Sequence, residues 1–142
     1  MSNLKTYHAK SQDVESSWVL VDASDKALGR LASKIASKLL GKDNPRFTPG
    51  VDISPHIVVI NASKVRCNSN KDFFWHTGYP GGLKKESMQY RLEHKPEVLV
   101  LKAVERMLPR NRYGRHLLTK VRVFEGNEHK HQAQNPKEID DN

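Results

Sequence analysis

A chain of 142 residues, 37% hydrophobic and 28% charged, can close one core but is too short for two ordinary domains, so a single domain over residues 1–142 is expected. Its net charge of +8 is unevenly spread: residues 1–25 carry 2 basic and 4 acidic side chains, residues 26–122 carry 20 and 7, and residues 123–142 carry 2 and 5, or −2, +13 and −3 by segment. The single cysteine, Cys67, excludes an intramolecular disulfide and a multi-cysteine zinc site, and with no apolar run near the roughly 20 residues of a membrane span and no legible signal peptide, a reducing, cytoplasmic setting is expected.

The first element is a strand at Ser17 to Asp22, a short, nearly continuous apolar run suited to burial on both faces. A helix follows. Asp22, Ser24 and Asp25 offer capping oxygens, the apolar residues Leu28, Leu31, Ala32, Ile35, Ala36 and Leu39 recur at three and four, and Gly41 supplies the stop. A second buried strand is read at His56 to Asn61, and strand, helix and strand together favour a parallel sheet with a right-handed crossover.

Beyond it, Lys64 to Cys67 and Phe73 to His76 read as a hairpin around Asn68-Ser69-Asn70-Lys71, followed by a loop rich in glycine at Gly78, Gly81 and Gly82. A helix is predicted over Lys85 to His94, and Pro96 opens the next, with Val98, Leu101, Val104, Met107 and Leu108 wholly or partly buried and an end before Pro109. A helical turn near Arg115 to Thr119 leads to a third core strand at Val121 to Phe124. The core thus spans about residues 15–125, and the polar remainder, about 125–142, reads as an extended tail.

Three groups of residues carry the chemistry. On the first helix Arg30, Lys34 and Lys38 stand four apart with no acid between them, a stripe better suited to a row of phosphates than to solvent alone, where mixed signs are usual. From Arg106 to Arg115 four arginines, Arg106, Arg110, Arg112 and Arg115, are joined by proline, asparagine, tyrosine and glycine. Guanidinium forks grip phosphate at two points and stack on bases, so this is the strongest RNA signal in the chain. The run Phe73 to Lys85 interleaves rings, glycines and the basic pair Lys84 and Lys85; Phe73 and Phe74 are read as core, while Trp75, His76 and Tyr79 stay open between core and base stacking.

Enzymatic readings are weaker. Neither the dinucleotide-binding glycine fingerprint nor the Walker pattern occurs, the acids do not pair, and His129-Lys130-His131 lacks a third metal ligand, leaving solvated histidines as the simpler reading. No cofactor is expected.

Several stretches, in chain order, resemble bacterial ribosomal protein thirteen of the large subunit. They are Trp18 to Ala23, Leu28 to Ala32, Phe47-Thr48-Pro49 with Val51-Asp52, Val58 to Ala62, His76-Thr77-Gly78, Gly81-Gly82, Met107-Leu108-Pro109, Gly114-Arg115 and Gly126 to His129. The chain departs from that pattern by being a few residues shorter between Asn70 and His76, by Ser69 where glycine is common, and at Glu105-Arg106.

The resemblance implies a single three-layer α/β domain with a small, mostly parallel sheet flanked by helices. It implies a non-enzymatic constituent of the large ribosomal subunit that binds rRNA, meets neighbouring large-subunit proteins and supports early assembly, with repression through its own messenger leader as the alternative. It also implies a place at the RNA interface for Arg30, His76, Gly81, Gly82, Arg115 and His129. Adding the basic groups read from the residues themselves, the expected RNA-binding set is Arg30, Lys34, Lys38, Lys42, Arg46, His76, Gly81, Gly82, Lys84, Lys85, Arg106, Arg110, Arg112, Arg115, Lys120 and His129.

Overall fold

The computed structural model describes residues 7–10, 14, 16–68 and 70–139. Strand β1 (Trp18–Asp22) leads through helix α1 (Leu28–Leu39) to strand β2 (His56–Ile60), which lies parallel to it with Trp18 opposite His56 and Asp22 opposite Ile60. The α/β expectation holds: four parallel strands in the order β5-β2-β1-β6, where β5 is Val121–Val123 and β6 is Lys137–Glu138.

α1 forms where the apolar period predicts it, burying Leu31, Ala32, Ile35, Ala36 and Leu39. Gly41, at φ +74°, ends it: the Gly41 N–H donates to the Lys38 carbonyl at 2.9 Å and the Lys42 N–H to that of Ser37 at 3.1 Å, a Schellman closure. The expected cap is corrected. Ala27 takes the N-cap position without a side-chain bond, because the Asp22 carboxylate already accepts from Ser24 N–H (3.0 Å), Ser24 Oγ (2.8 Å) and Asn61 Nδ2 (2.9 Å), fastening the exit of β1 to the end of β2.

The expected hairpin is also corrected. Residues 64–67 return to the start of α1, where Arg66 N–H donates to the Lys26 carbonyl (2.9 Å) and the Arg66 carbonyl accepts from Leu28 N–H (3.0 Å). The hairpin that forms joins β3 (Asp72–His76) to β4 (Leu83–Ser87), antiparallel, with the glycine-rich loop as its turn. That pairing claims Lys85 to Ser87, so helix α2 (Met88–His94) starts later than predicted, with Ser87 Oγ accepting from Tyr90 N–H at 3.2 Å.

Helix α3 (Pro96–Met107) begins on its proline as expected and buries Pro96, Leu99, Val100 and Val104; Val98 and Met107, expected wholly or partly buried, are 38% and 42% exposed. Helix α4 (Arg112–Leu118) starts three residues before the predicted turn because Asn111 Oδ1 caps it, accepting from Gly114 N–H at 2.8 Å.

The larger core cluster joins one face of the sheet (Val21, Ile57, Val59, Val121, Val123) to α1, α3 and Leu117 of α4. The opposite face carries Leu20, Val58 and Ile60 with Trp18 and Phe124. The polar stretch expected as an extended tail after about residue 125 lies here. The chain after Phe124 returns over this face: His131 packs on Trp18 (ring centroids 5.1 Å) and on Phe124 (5.8 Å), β6 pairs with β1, and Ile139 N–H donates to the Leu20 carbonyl at 3.1 Å. A three-residue apolar cluster needs a cover, and the polar tail supplies rings and backbone donors rather than an apolar period.

Candidate nucleic-acid interface

The basic stripe of α1 is only partly as expected. Arg30 and Lys34 are exposed and, with Lys26 and Arg66, border a shallow pocket of about 290 Å³ at the start of the helix. Arg66 arrives there through its bridge to Ala27, and its Nε lies 3.6 Å from the Asp25 carboxylate with both side chains well exposed. Lys38, in contrast, is ion-paired with Asp43 at 3.2 Å, since the turn after Gly41 brings that acid back to the end of the helix. Lys42 and Arg46 are exposed, and among the described residues neither side chain has an ion pair.

The segment from Arg106 to Arg115 is held open by its backbone. Leu108 is buried, and Gly114 is so close to the Pro109 carbonyl that an added Cβ would lie 2.0 Å from that oxygen. The side chains of Arg110, Arg112 and Arg115 are exposed and have no carboxylate within ion-pair distance among the described residues. Arg110 and Arg115 share a small groove with Pro109 and Leu118, and Arg110 also borders a larger cleft between β3 and α3. Three permanent cations on one bend, without internal partners, form a strong local positive field.

At the hairpin, His76 is exposed and its Nδ1 accepts from Gly78 N–H at 2.9 Å, leaving Nε2 as the ring's free polar atom. Gly81 sits at φ +70°, and a Cβ on Gly82 would meet Thr77 Oγ1 at 2.1 Å, so the turn itself requires both glycines. Lys84 is exposed; Lys85 is paired with Asp72 at 2.8 Å and lies over the Phe74 ring at 6.0 Å. Phe73 and Phe74 were expected in the core, but Phe73 is only partly buried and Phe74 is 55% exposed, because the hairpin stands apart from the main sheet.

Two expected residues are engaged within the fold. Lys120 Nζ lies 2.7 Å from Asp52 Oδ2 and also donates to Ser54 Oγ at 2.9 Å and to its carbonyl at 3.2 Å. Burial would raise the Asp52 carboxyl, but hydrogen bonds from Lys120 and Ser54 outweigh it and hold the group below the usual carboxylate range. His129 is partly buried beside Phe124 (6.3 Å), and its Nδ1 accepts from His131 N–H at 3.3 Å; the expectation of solvated histidines is therefore corrected for both rings. Sequence reasoning missed Arg66, Arg91 and Lys102, which join the basic clefts through strand pairing and helix packing that no local pattern announces.

Little here resembles a reaction centre. Burial pushes the Cys67 thiol up, away from thiolate chemistry. Among the described residues no cluster of three or more His, Cys, Asp or Glu is placed to hold a metal, and no helix is long and apolar enough to cross a membrane.

The family model described as Ribosomal protein L13 matches residues 16–130. Among known proteins the chain is 50% identical over 141 residues to the large ribosomal subunit protein uL13 of Halorhodospira halophila, covering 96% of this chain and 99% of that one. It is 47% identical to the uL13 of Aquifex aeolicus (96% and 98% covered) and 49% identical to that of Pseudoalteromonas atlantica (96% and 99%).

Proposed function

Since the chain belongs to the ribosomal protein L13 family, we propose that it serves the large ribosomal subunit, in the cytoplasm, as a non-enzymatic constituent that binds rRNA and supports early assembly. One observation carries the RNA reading: Arg110, Arg112 and Arg115 stand exposed on a single bend with no internal carboxylate partner among the described residues. Guanidinium groups so placed neutralise phosphate and release its counterions, which supplies affinity without base-specific contacts. Arg30 and Lys34 on α1, with Lys42, Arg46, His76 and Lys84, form further contact points; Lys120, whose ammonium serves the fold, stands outside the interface.

Neighbouring large-subunit proteins are the expected protein partners. The three relatives named above are large-subunit proteins by name, so the messenger-leader alternative gains no support from them.

The test is binding of the purified chain to transcribed bacterial large-subunit rRNA over a range of KCl concentrations, combined with recovery of the chain in large subunits after a high-salt wash. Tight binding that weakens steeply with salt, together with retention in washed subunits, is expected. Absence from washed subunits and indifference to the RNA would end the proposal.

A further inference from the structure

Between β3 and α3 lies an open cleft of about 570 Å³, of whose lining the phosphate contacts above use only Arg110. Its floor is aromatic. Phe73 and Trp75, two apart on a strand, share a face, and the Arg91 guanidinium lies 4.3 Å from the Phe73 ring and 5.8 Å from Trp75. Arg91 is in turn clamped by Glu86 at 2.6 Å, with both side chains mostly withdrawn from water, so this floor is rigid. The wall is cationic. Arg106 lies 5.4 Å from Phe73, and neither it nor Arg110 has a carboxylate partner among the described residues. The one acid in the lining, Glu105, is neutralised by Lys102 at 2.6 Å.

We infer that this cleft takes one unpaired nucleotide of the bound RNA, its base stacked on Trp75 and its phosphate held by Arg106 and Arg110. The inference rests on the RNA reading above. Trp75 remains 42% exposed, a poor use of an indole in water, and a flat ring face is matched by a flat base. A duplex buries its base faces in its own stack, so only an unpaired nucleotide can offer one. An acidic peptide would satisfy the arginines but offer no flat face to Trp75, whose indole is still 42% exposed. Clefts of a few hundred cubic ångströms are the ordinary size for a ligand of this class.

Trp75 can report on its own occupancy, because Trp18, the other tryptophan, is stacked on His56 at 4.5 Å on the sheet. The experiment titrates the full chain with transcribed bacterial large-subunit rRNA, following binding by filter retention and tryptophan emission by lifetime, for the natural chain, W75F and W75A. A short-lifetime component that appears on binding, is lost in W75F, and accompanies about tenfold weaker binding in W75A with near-natural affinity in W75F is expected. No change to Trp18 is needed, and partial exposure of Trp75 leaves both variants able to fold. Full RNA affinity in W75A with no response from Trp75 overturns this inference alone. Saturation of the cleft by an oligoglutamate peptide that quenches Trp75, when the RNA does not, overturns it in favour of an acidic protein segment. Failure of the natural chain to bind the RNA at all removes the proposed function and this site together.

Discussion

Lys120 and Asp52 form an ion pair of 2.7 Å between the start of β5 and the loop before β2, with only 14% and 25% of their side chains exposed. Ser54 completes it through its hydroxyl and carbonyl, and His116 Nε2 approaches the same carboxylate at 3.1 Å. A lysine so engaged ties the start of β5 to the loop before β2. K120M should therefore lower stability by about 1–3 kcal/mol, the cost of leaving a partly buried carboxylate without its main partner. It should leave the salt dependence of RNA binding unchanged. Urea unfolding and a binding titration on the same variant check both halves; a reduced salt slope with natural stability would return Lys120 to the interface.

The pH dependence should show a histidine signature. Burial, then the charges of Lys120 and Arg122, with a smaller opposite effect of Asp52, hold His56 below its ordinary value of 6.5. The unfolded chain thus binds a proton at His56 more readily than the folded one. The sign follows: stability is greatest above the unfolded value and falls as pH drops from there toward the folded value. The urea midpoint is expected to be lower at pH 5.5 than at pH 7.5, and H56F should flatten that slope while keeping a ring against Trp18. An equal slope in H56F would assign the effect to other groups.

The arginine bend should dominate the salt response. Replacing Arg110, Arg112 and Arg115 together by alanine should weaken rRNA binding at least about tenfold near 0.1 M salt and reduce the slope of log affinity against log salt by about 2. Because all three side chains are exposed, the thermal midpoint should barely move. Unchanged binding at matched salt would take the bend out of the interface.

Gly114 is needed for a packing reason. A methyl group there would sit 2.0 Å from the Pro109 carbonyl oxygen, so either the bend opens or α4 shifts. G114A should cost about 1–3 kcal/mol and weaken RNA binding through displaced arginines that are themselves unaltered. Natural stability in this variant would mean that the bend yields freely.

The elements that could be read along the chain are those whose cause is local. The period of Leu31, Ala32, Ile35, Ala36 and Leu39, the stop at Gly41 and the apolar runs of β1 and β2 each have their explanation within a few residues, and all three elements stand where expected. The hairpin expected between Lys64 to Cys67 and Phe73 to His76 forms instead with Leu83 to Ser87, a stretch whose second half reads as the start of a helix. The choice turned on Arg66 bonding to Lys26 and Leu28, about forty residues earlier.

The same division runs through the candidate interface. Composition and order determined that this is a basic α/β domain with arginines concentrated between residues 106 and 115, because charge and periodicity are properties of the string itself. Only the tertiary structure decided which cations are free and which are engaged: Lys38 meets Asp43 across a turn, Lys120 meets Asp52 across the fold, and Arg91 and Arg106 converge on Phe73 from two helices. It likewise drew the polar tail over Leu20 and Trp18. Each of these pairings depends on distance in space between residues remote in sequence, and electrostatic and stacking energies act on that distance alone.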